Sequence, residues 1–258
     1  MTAAGPLARP HLAHRPAAGG PTLLLLHGAG CGGWVWDFLS DFFQDAGYPV
    51  EVLDFTRQAQ GRDAGLGDYV AQARAALARI GGPVVAIGHS LGALVAQRLL
   101  LEPPLAAAAL LCPVPPEGLW FSAARLAFAD PSLFAEAARM EAPPGSAPPE
   151  LAGSLFGPAM PEEAARRLIA RMGGESPTAL WEAQAPQPVP HGWLHRRPVL
   201  VLGAGADRLI PGDAVERCAL WHGAPAPDFL PGLGHLMMLE PGWPAVAERL
   251  LAWLKRLQ

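Results

Sequence analysis

Lysine is nearly missing from this chain: Lys255 is the only one in 258 residues. Charged residues of all kinds make up 16% of the sequence and the formal net charge is −4, which excludes the basic footprint of a nucleic-acid binder. Cysteine is scarce as well. Cys31, Cys112 and Cys218 are odd in number, far apart and form no CxxC pair. That excludes a disulfide framework and a cysteine-rich zinc module, and it leaves three reduced thiols in a cytoplasmic protein as the expectation. Long apolar runs are absent too. "LAAAALLC" at 105–112 is far shorter than a membrane span. The opening "MTAAGPLARPHLAHRPAAGG" lacks the apolar stretch of a secretory signal.

What the chain does have is a hydrophobic content of 51%, with 29 glycines and 29 prolines. This suits a compact domain with proline-rich connections rather than a disordered segment. "TLLLL" (22–26) is a short continuous apolar run and predicts a strand buried on both faces. Helical spacing follows at 34–47, a strand at 48–55, an amphipathic helix at 67–82, a strand at 83–88, a helix at 91–102 and a strand at 105–112. Such alternation predicts an α/β fold: a mostly parallel sheet flanked by helices. The pattern then breaks. Residues 113–197 are proline-rich and carry helix-like pieces near 118–128, 131–140, 161–173 and 176–184. So long a stretch is expected to be a helical cap inserted between two core strands. The core would then comprise residues 1–112 and 198–258, closing with a strand at 198–203, a helix at 212–221, a strand at 226–232 and a helix at 241–257.

In a parallel sheet, reactive groups collect at the C-terminal ends of the strands. "VVAIGHSLGALVA" (84–96) places Ser90 at such an end, between Gly88 and Gly92, where a strand turns into a helix. A sharp turn there forces the serine into a strained backbone conformation and lifts its hydroxyl clear of the sheet, while the glycines let strand and helix approach. Ser90 is therefore the candidate nucleophile. A hydroxyl needs a base, and His235, in the glycine-flanked loop after the last strand, has the best context of the eight histidines. The base needs an acid to fix its tautomer. Asp207 lies in the loop after the penultimate strand, 28 residues before His235. Asp213, Asp228, Glu117 and Asp130 are the lesser candidates. The oxyanion donors are expected to be the amides of Leu91 and Ala29, with Gly30 as second choice. His89 and His27 read as structural, His27 bracing the glycine-rich loop. His191 and His195 are spaced by four, but Pro190 and Gly192 argue against a helix there, and without a third ligand a zinc site is not expected.

Four motifs, in order, carry a family resemblance: "HGAG" (27–30), "GHSLGA" (88–93), "GAGAD" (203–207) and "GLGHLMMLEP" (232–241). With them the chain resembles the α/β-hydrolase superfamily over most of its length, and in wording it is similar to bacterial serine carboxylesterases. The resemblance implies the fold, the Ser90–Asp207–His235 triad, hydrolysis of small to medium apolar carboxylic esters through an acyl-enzyme, and no metal or organic cofactor. Members with an aspartate nucleophile are disfavoured because the elbow holds serine. Hydroxynitrile lyases use a lysine near the site, for which Lys255 is a poor match. Beside the family's usual opening, the N-terminal arm is short, so one or two early strands are expected to be missing or minimal.

Competing readings remain. "GAGCGG" (28–33) satisfies GxGxxG, with Asp54 ending the next strand, as a dinucleotide-binding turn would. Trp34 and Trp36 would crowd the pyrophosphate. A thioesterase or acyltransferase shares every catalytic residue, with "HRRP" (195–198) the one basic element for an acyl carrier. A non-catalytic ligand-binding member is a third reading. Trp34, Trp120, Phe121, Phe128, Trp181 and Met237 are the candidate pocket residues, with Phe134, Met160 and Met238 near them. Cys31, near the oxyanion loop, is expected to be a buried inert thiol. The partner is expected to be a small-molecule ester, and the protein a monomer or weak dimer.

Overall fold

The structure is a computed structural model that describes residues 20–137 and 152–257. Its centre is a six-stranded, all-parallel sheet. Strands β1 (Thr22–Leu26), β2 (Val50–Leu53), β5 (Val84–His89), β6 (Leu105–Leu111), β7 (Val199–Ala204) and β8 (Asp228–Leu230) lie in the order β2-β1-β5-β6-β7-β8. A separate hairpin, β3 (Gln58–Ala59) with β4 (Arg62–Asp63), follows β2.

Alternate residues of each strand feed two cores. Leu23, Leu25, Val85 and Ile87 pack with α1 (Asp37–Asp45) and α11 (Trp243–Leu254) on one face. Leu24, Leu26, Val84 and Ala86 pack with α2 (Leu66–Ile80), α3 (Leu91–Arg98) and α10 (Gly212–His222) on the other. All four leucines of β1 are fully buried, each stabilising by about 1.5–3 kcal/mol. This explains why "LLLL" does not alternate: both faces are covered. The chain leaves β1 toward β2 on one side and returns to β5 on the other. The order therefore reverses between β1 and β5, and loops following those strands diverge into a crevice there.

Between β6 and β7 the described residues form six short helices: α4 (Trp120–Ala129), α5 (Pro131–Ala137), α6 (Ala152–Leu155), α7 (Glu162–Ile169), α8 (Pro177–Glu182) and α9 (Gly192–His195). No helix among the described residues is long and apolar enough to cross a membrane. The question of missing opening strands falls on residues 1–19, outside the described residues, as does the end of the helix expected at 131–140.

Three local features go beyond or differ from the sequence reading. The run 34–47 opens with a 3-10 turn (Gly33–Trp36) and continues as α1 to Asp45. The β3–β4 hairpin turns through Gln60 and Gly61, both at positive φ (53° and 78°), and a pair this short leaves no periodic signal. A helical turn does form at Gly192–His195: Pro190 lies outside it, and His191 caps it in an extended conformation, its Nδ1 accepting the Trp193 N–H at 3.4 Å.

Candidate active site

Ser90 sits at φ 52°, ψ −115°, a left-handed conformation costly for any residue with a Cβ. The neighbours show what holds it. Its N–H donates to Leu111 O (2.9 Å), and its own carbonyl accepts from Ala93, Leu94 and Val114. A Cβ on Gly88 would lie 2.5 Å from Gly92 O, and one on Gly92 would lie 2.2 Å from Leu26 O. Both glycines are thus demanded by close backbone approach, and Ser90 is delivered to the crevice between β1 and β5.

His235 and Asp207 pair in the loops that follow β8 and β7. His235 Nδ1 donates to Asp207 Oδ2 at 2.8 Å, with side chains only 5% and 2% exposed. Asp207 Oδ1 accepts the Leu209 and Ile210 N–H groups at 2.8 and 3.0 Å. Burial by itself would raise this carboxyl, but the His235 ring and the two amides outweigh it and hold Asp207 below the usual carboxylate value. No hydrogen bond joins Ser90 Oγ to His235 among the described residues. Bonds of this kind commonly tighten only when substrate is bound.

His89 links the serine and histidine loops. Its Nε2–H donates to His235 O at 2.8 Å and its ring lies 4.7 Å from the His235 ring. That bond fixes the tautomer, leaving a buried, unpartnered Nδ1. The Cys112 thiol shares the corner, within 4.8 Å of both the Asp207 carboxylate and a His235 nitrogen. Burial, then the Asp207 charge, push its pKa well up, so it is a neutral thiol.

The oxyanion loop comes from β1. A Cβ on Gly28 would lie 3.0 Å from Ser90 Cβ, so this loop abuts the elbow. His27 Nδ1–H donates to Gly28 O (2.9 Å) while Nε2 accepts from Phe55 N–H (3.1 Å), which is the bracing expected of it. Neither the Ala29 nor the Leu91 amide has an acceptor among the described residues. Gly30, the second-choice donor, is corrected: its N–H donates to Glu175 Oε2 at 2.9 Å and is not free.

A model of the alpha/beta hydrolase family matches residues 23–249. The chain belongs to the alpha/beta hydrolase family. None of the curated proteins compared matches it. Among solved structures it is similar in fold to a thermophilic esterase from Thermogutta terrifontis (21% identity, TM-score 0.68, covering 92% of this chain and 90% of that one). An esterase from Rhodococcus sp. ECU1013 is similar at 19% identity and TM-score 0.66, covering 94% and 93%. A bromoperoxidase from Bacillus anthracis is similar at 17% identity and TM-score 0.70, covering 92% of each chain.

In this hydrolase the lesser acid candidates are engaged elsewhere. Asp213 pairs with Arg125 and Arg217, Glu117 with Arg217, Asp228 with Arg249, and Asp130 with Arg208. The dinucleotide reading also loses its site. Trp34 lies 3.0 Å from where a Gly32 side chain would begin, and the Glu175 carboxylate occupies the Gly30 amide. Within "HRRP", Arg197 is committed to Leu100 O and Glu102 O, and Arg196 is exposed.

The pocket expectations divide. Met237 is fully buried and Trp34 is half-buried under the Arg171 guanidinium, 4.2 Å above its ring. Trp120, Phe121, Phe128 and Trp181 are 65–91% exposed; on α4 the buried side is carried by Ser122 and, partly, Leu126. Phe121 instead lines a groove of about 780 Å³ between α4 and α10 that includes none of Ser90, Asp207 or His235. A cleft of about 330 Å³ lined by Phe156, Met160, Ala206 and Arg208 adjoins the Asp207 loop. Cys31 is buried as expected, and burial, with Glu175 nearby, pushes its thiol up to about 12.

Two glutamates escaped the sequence reading. Glu240, fully buried, accepts the Gly234 and Gly157 N–H groups (2.6 and 3.0 Å), tying the loop before His235 to the insert. Glu175 does the same for the oxyanion loop. A lone acid inside an apolar run, as in "LMMLEPGW", was the available signal for the first.

Buried histidines make acid the weak side of this fold. Arg197 N–H donates to His195, whose Nε2 bonds His222 Nδ1 (3.1 Å), whose Nε2 bonds Gln97 Oε1 (3.1 Å). Desolvation depresses His89 and His222 to about 3, and lowers His195. A depressed histidine contributes stability above its unfolded pKa near 6.5 and loses it as pH falls toward 3. At pH 5 the unfolded chain holds a proton on His89 and His222 that the folded chain does not, worth about 2 kcal/mol per ring. Urea midpoints should therefore hold from pH 8 to 7 and fall steadily from 6.5 to 4; a flat profile would refute buried neutral rings.

Proposed function

We propose that this protein is a serine hydrolase that cleaves carboxylic esters of small to medium apolar substrates through an acyl-enzyme. The observation that carries this reading is the strained Ser90 elbow, linked through His89 to a buried Asp207–His235 pair at 2.8 Å. Ser90 Oγ attacks the ester carbonyl carbon as His235 Nε2 takes its proton. The carbonyl oxygen becomes an oxyanion held by the Ala29 and Leu91 amides, which α3 favours further through its positive N-terminal end. His235 then gives the proton to the departing alkoxide, and the C–O bond breaks. Water, deprotonated by the same ring, attacks the acyl-serine and releases the acid, restoring Ser90. Asp207 keeps the proton on Nδ1 throughout, so Nε2 is the acceptor. In this reading the described residues of the 113–197 insert, which touch the oxyanion loop through Glu175 and the histidine loop through Gly157, help select the substrate.

The test is turnover of p-nitrophenyl acyl esters set against acyl-thioesters of the same chain lengths, with a fluorophosphonate as titrant of active serine. The expected result is ester turnover abolished by one equivalent of titrant. Turnover confined to thioesters would move the assignment to a thioesterase, and no labelling by the titrant would end the serine-hydrolase reading.

A further inference from the structure

We propose that Glu175, contributed by the insert, is the positioning residue that aims the oxyanion loop; the inference deepens the esterase reading and rests on it. Glu175 is 3% exposed in a chain where charge is sparse. Its Oε2 accepts the Gly30 N–H at 2.9 Å. Its Oε1 accepts the Tyr69 hydroxyl and, at 2.9 Å, its neighbour's Ser176 N–H. Arg57 supplies the counter-charge, with Nε 3.7 Å from Oε2, and also donates to Cys31 O.

The same insert segment takes hold of the other side of Gly30. Gly173 N–H donates to Gly30 O at 2.9 Å. Both polar groups of Gly30 are thus bonded to residues 173–175, more than 140 positions away in sequence. Gly30 stands at φ 65°, where glycine is free to rotate and needs an outside restraint to stay. The restraint matters because the Ala29 N–H lies one peptide upstream. His27 holds the Gly28–Ala29 peptide through Gly28 O, and Glu175 holds the Ala29–Gly30 peptide through its N–H. With the peptides on both sides of Ala29 fixed, its N–H points in one direction. An oxyanion donor must be placed within a few tenths of an ångström to act on a developing charge.

Glu175→Gln is the decisive variant. A carboxamide has one acceptor oxygen for the Gly30 and Ser176 amides on opposite ends of the group, so one of them must face an NH2. Kinetics would be read with p-nitrophenyl esters. Binding would be read with a trifluoromethyl ketone, which forms an anionic adduct on serine, and with an unreactive ketone of the same shape. The expected result is a loss of about 10–100-fold in kcat, KM within about twofold, trifluoromethyl ketone affinity weakened in step with kcat, and the unreactive ketone unaffected. Tyr69→Phe, which leaves the Gly30 bond in place, should keep kcat within about threefold. Should Glu175→Gln not fold, Glu175→Asp reads the same quantities, with a smaller loss expected in kcat and trifluoromethyl ketone affinity together. A lowered Tm with kcat and trifluoromethyl ketone affinity both unchanged would overturn the proposal and leave Glu175 a packing residue. Wild-type protein that neither turns over esters nor reacts with a fluorophosphonate would instead overturn the esterase reading, and this inference with it.

Discussion

Ser90→Ala should lower ester turnover by about 10⁴-fold or more while leaving the fold intact. Serine and alanine both carry a Cβ, so the strain at φ 52° is the same in the two proteins and no rearrangement of the elbow is needed. The hydrogen bonds that hold the turn involve only the Ser90 backbone: N–H to Leu111 O, and carbonyl to Ala93, Leu94 and Val114. None is lost with the hydroxyl. Tm should therefore stay within a few degrees, and fluorophosphonate labelling should vanish. What survives is the background that two aligned amides and a bound substrate give to attack by water. An alanine variant with a tenth or more of wild-type kcat would show that another group attacks the carbonyl, and the thiols offer no replacement. Cys31 and Cys112 are both buried and both pushed well above the pH at which a thiolate forms.

Much of this arrangement is legible in the sequence because parallel strands leave one-dimensional traces. Four consecutive leucines ending at His27, and "VVAIG" ending at Ser90, announce strands covered on both faces. Their C-terminal ends must carry the chemistry, whatever the details of packing. Ser90, Asp207 and His235 each follow a strand, so their order and spacing betray them. The exposed aromatics of α4 and α8 did not yield to the same reasoning. An aromatic residue in an insert reads as pocket or packing, and only the orientation of a short helix decides that Phe128 is 91% exposed. Glu175 and Glu240 were hidden for a related reason. Each works by accepting amides from segments far away in sequence, and no local pattern encodes where a distant N–H will lie. The Gly30 amide is the sharpest case: from sequence it was a free donor, and the structure gives it to a carboxylate 145 residues away.

Asp207→Asn tests the remaining part of the constellation, through the proton rather than the nucleophile. Asp207 Oδ1 is held by the Leu209 and Ile210 amides at 2.8 and 3.0 Å, and Oδ2 faces His235 Nδ1 at 2.8 Å. Asparagine keeps the first pair of bonds only by placing its carbonyl at Oδ1, which turns the NH2 group toward His235. The ring must then accept at Nδ1, so its proton moves to Nε2, the atom that has to receive the serine proton. Flipping the amide to avoid this would leave two backbone N–H groups facing an NH2, costing about 1–3 kcal/mol for each. The expected loss in kcat is about 10⁴-fold, at nearly unchanged KM and fold stability. The pH dependence adds an independent check. Asp207 is held below the ordinary carboxylate value by His235 and the two amides against its burial, so it stays ionised at neutral pH. An acid limb in kcat/KM near neutrality cannot then come from protonation of Asp207. A wild-type-like kcat in the asparagine variant would show that His235 does not depend on this carboxylate for its tautomer. The acid would then have to be sought among Asp213, Asp228, Glu117 and Asp130, each of which this structure commits to an arginine.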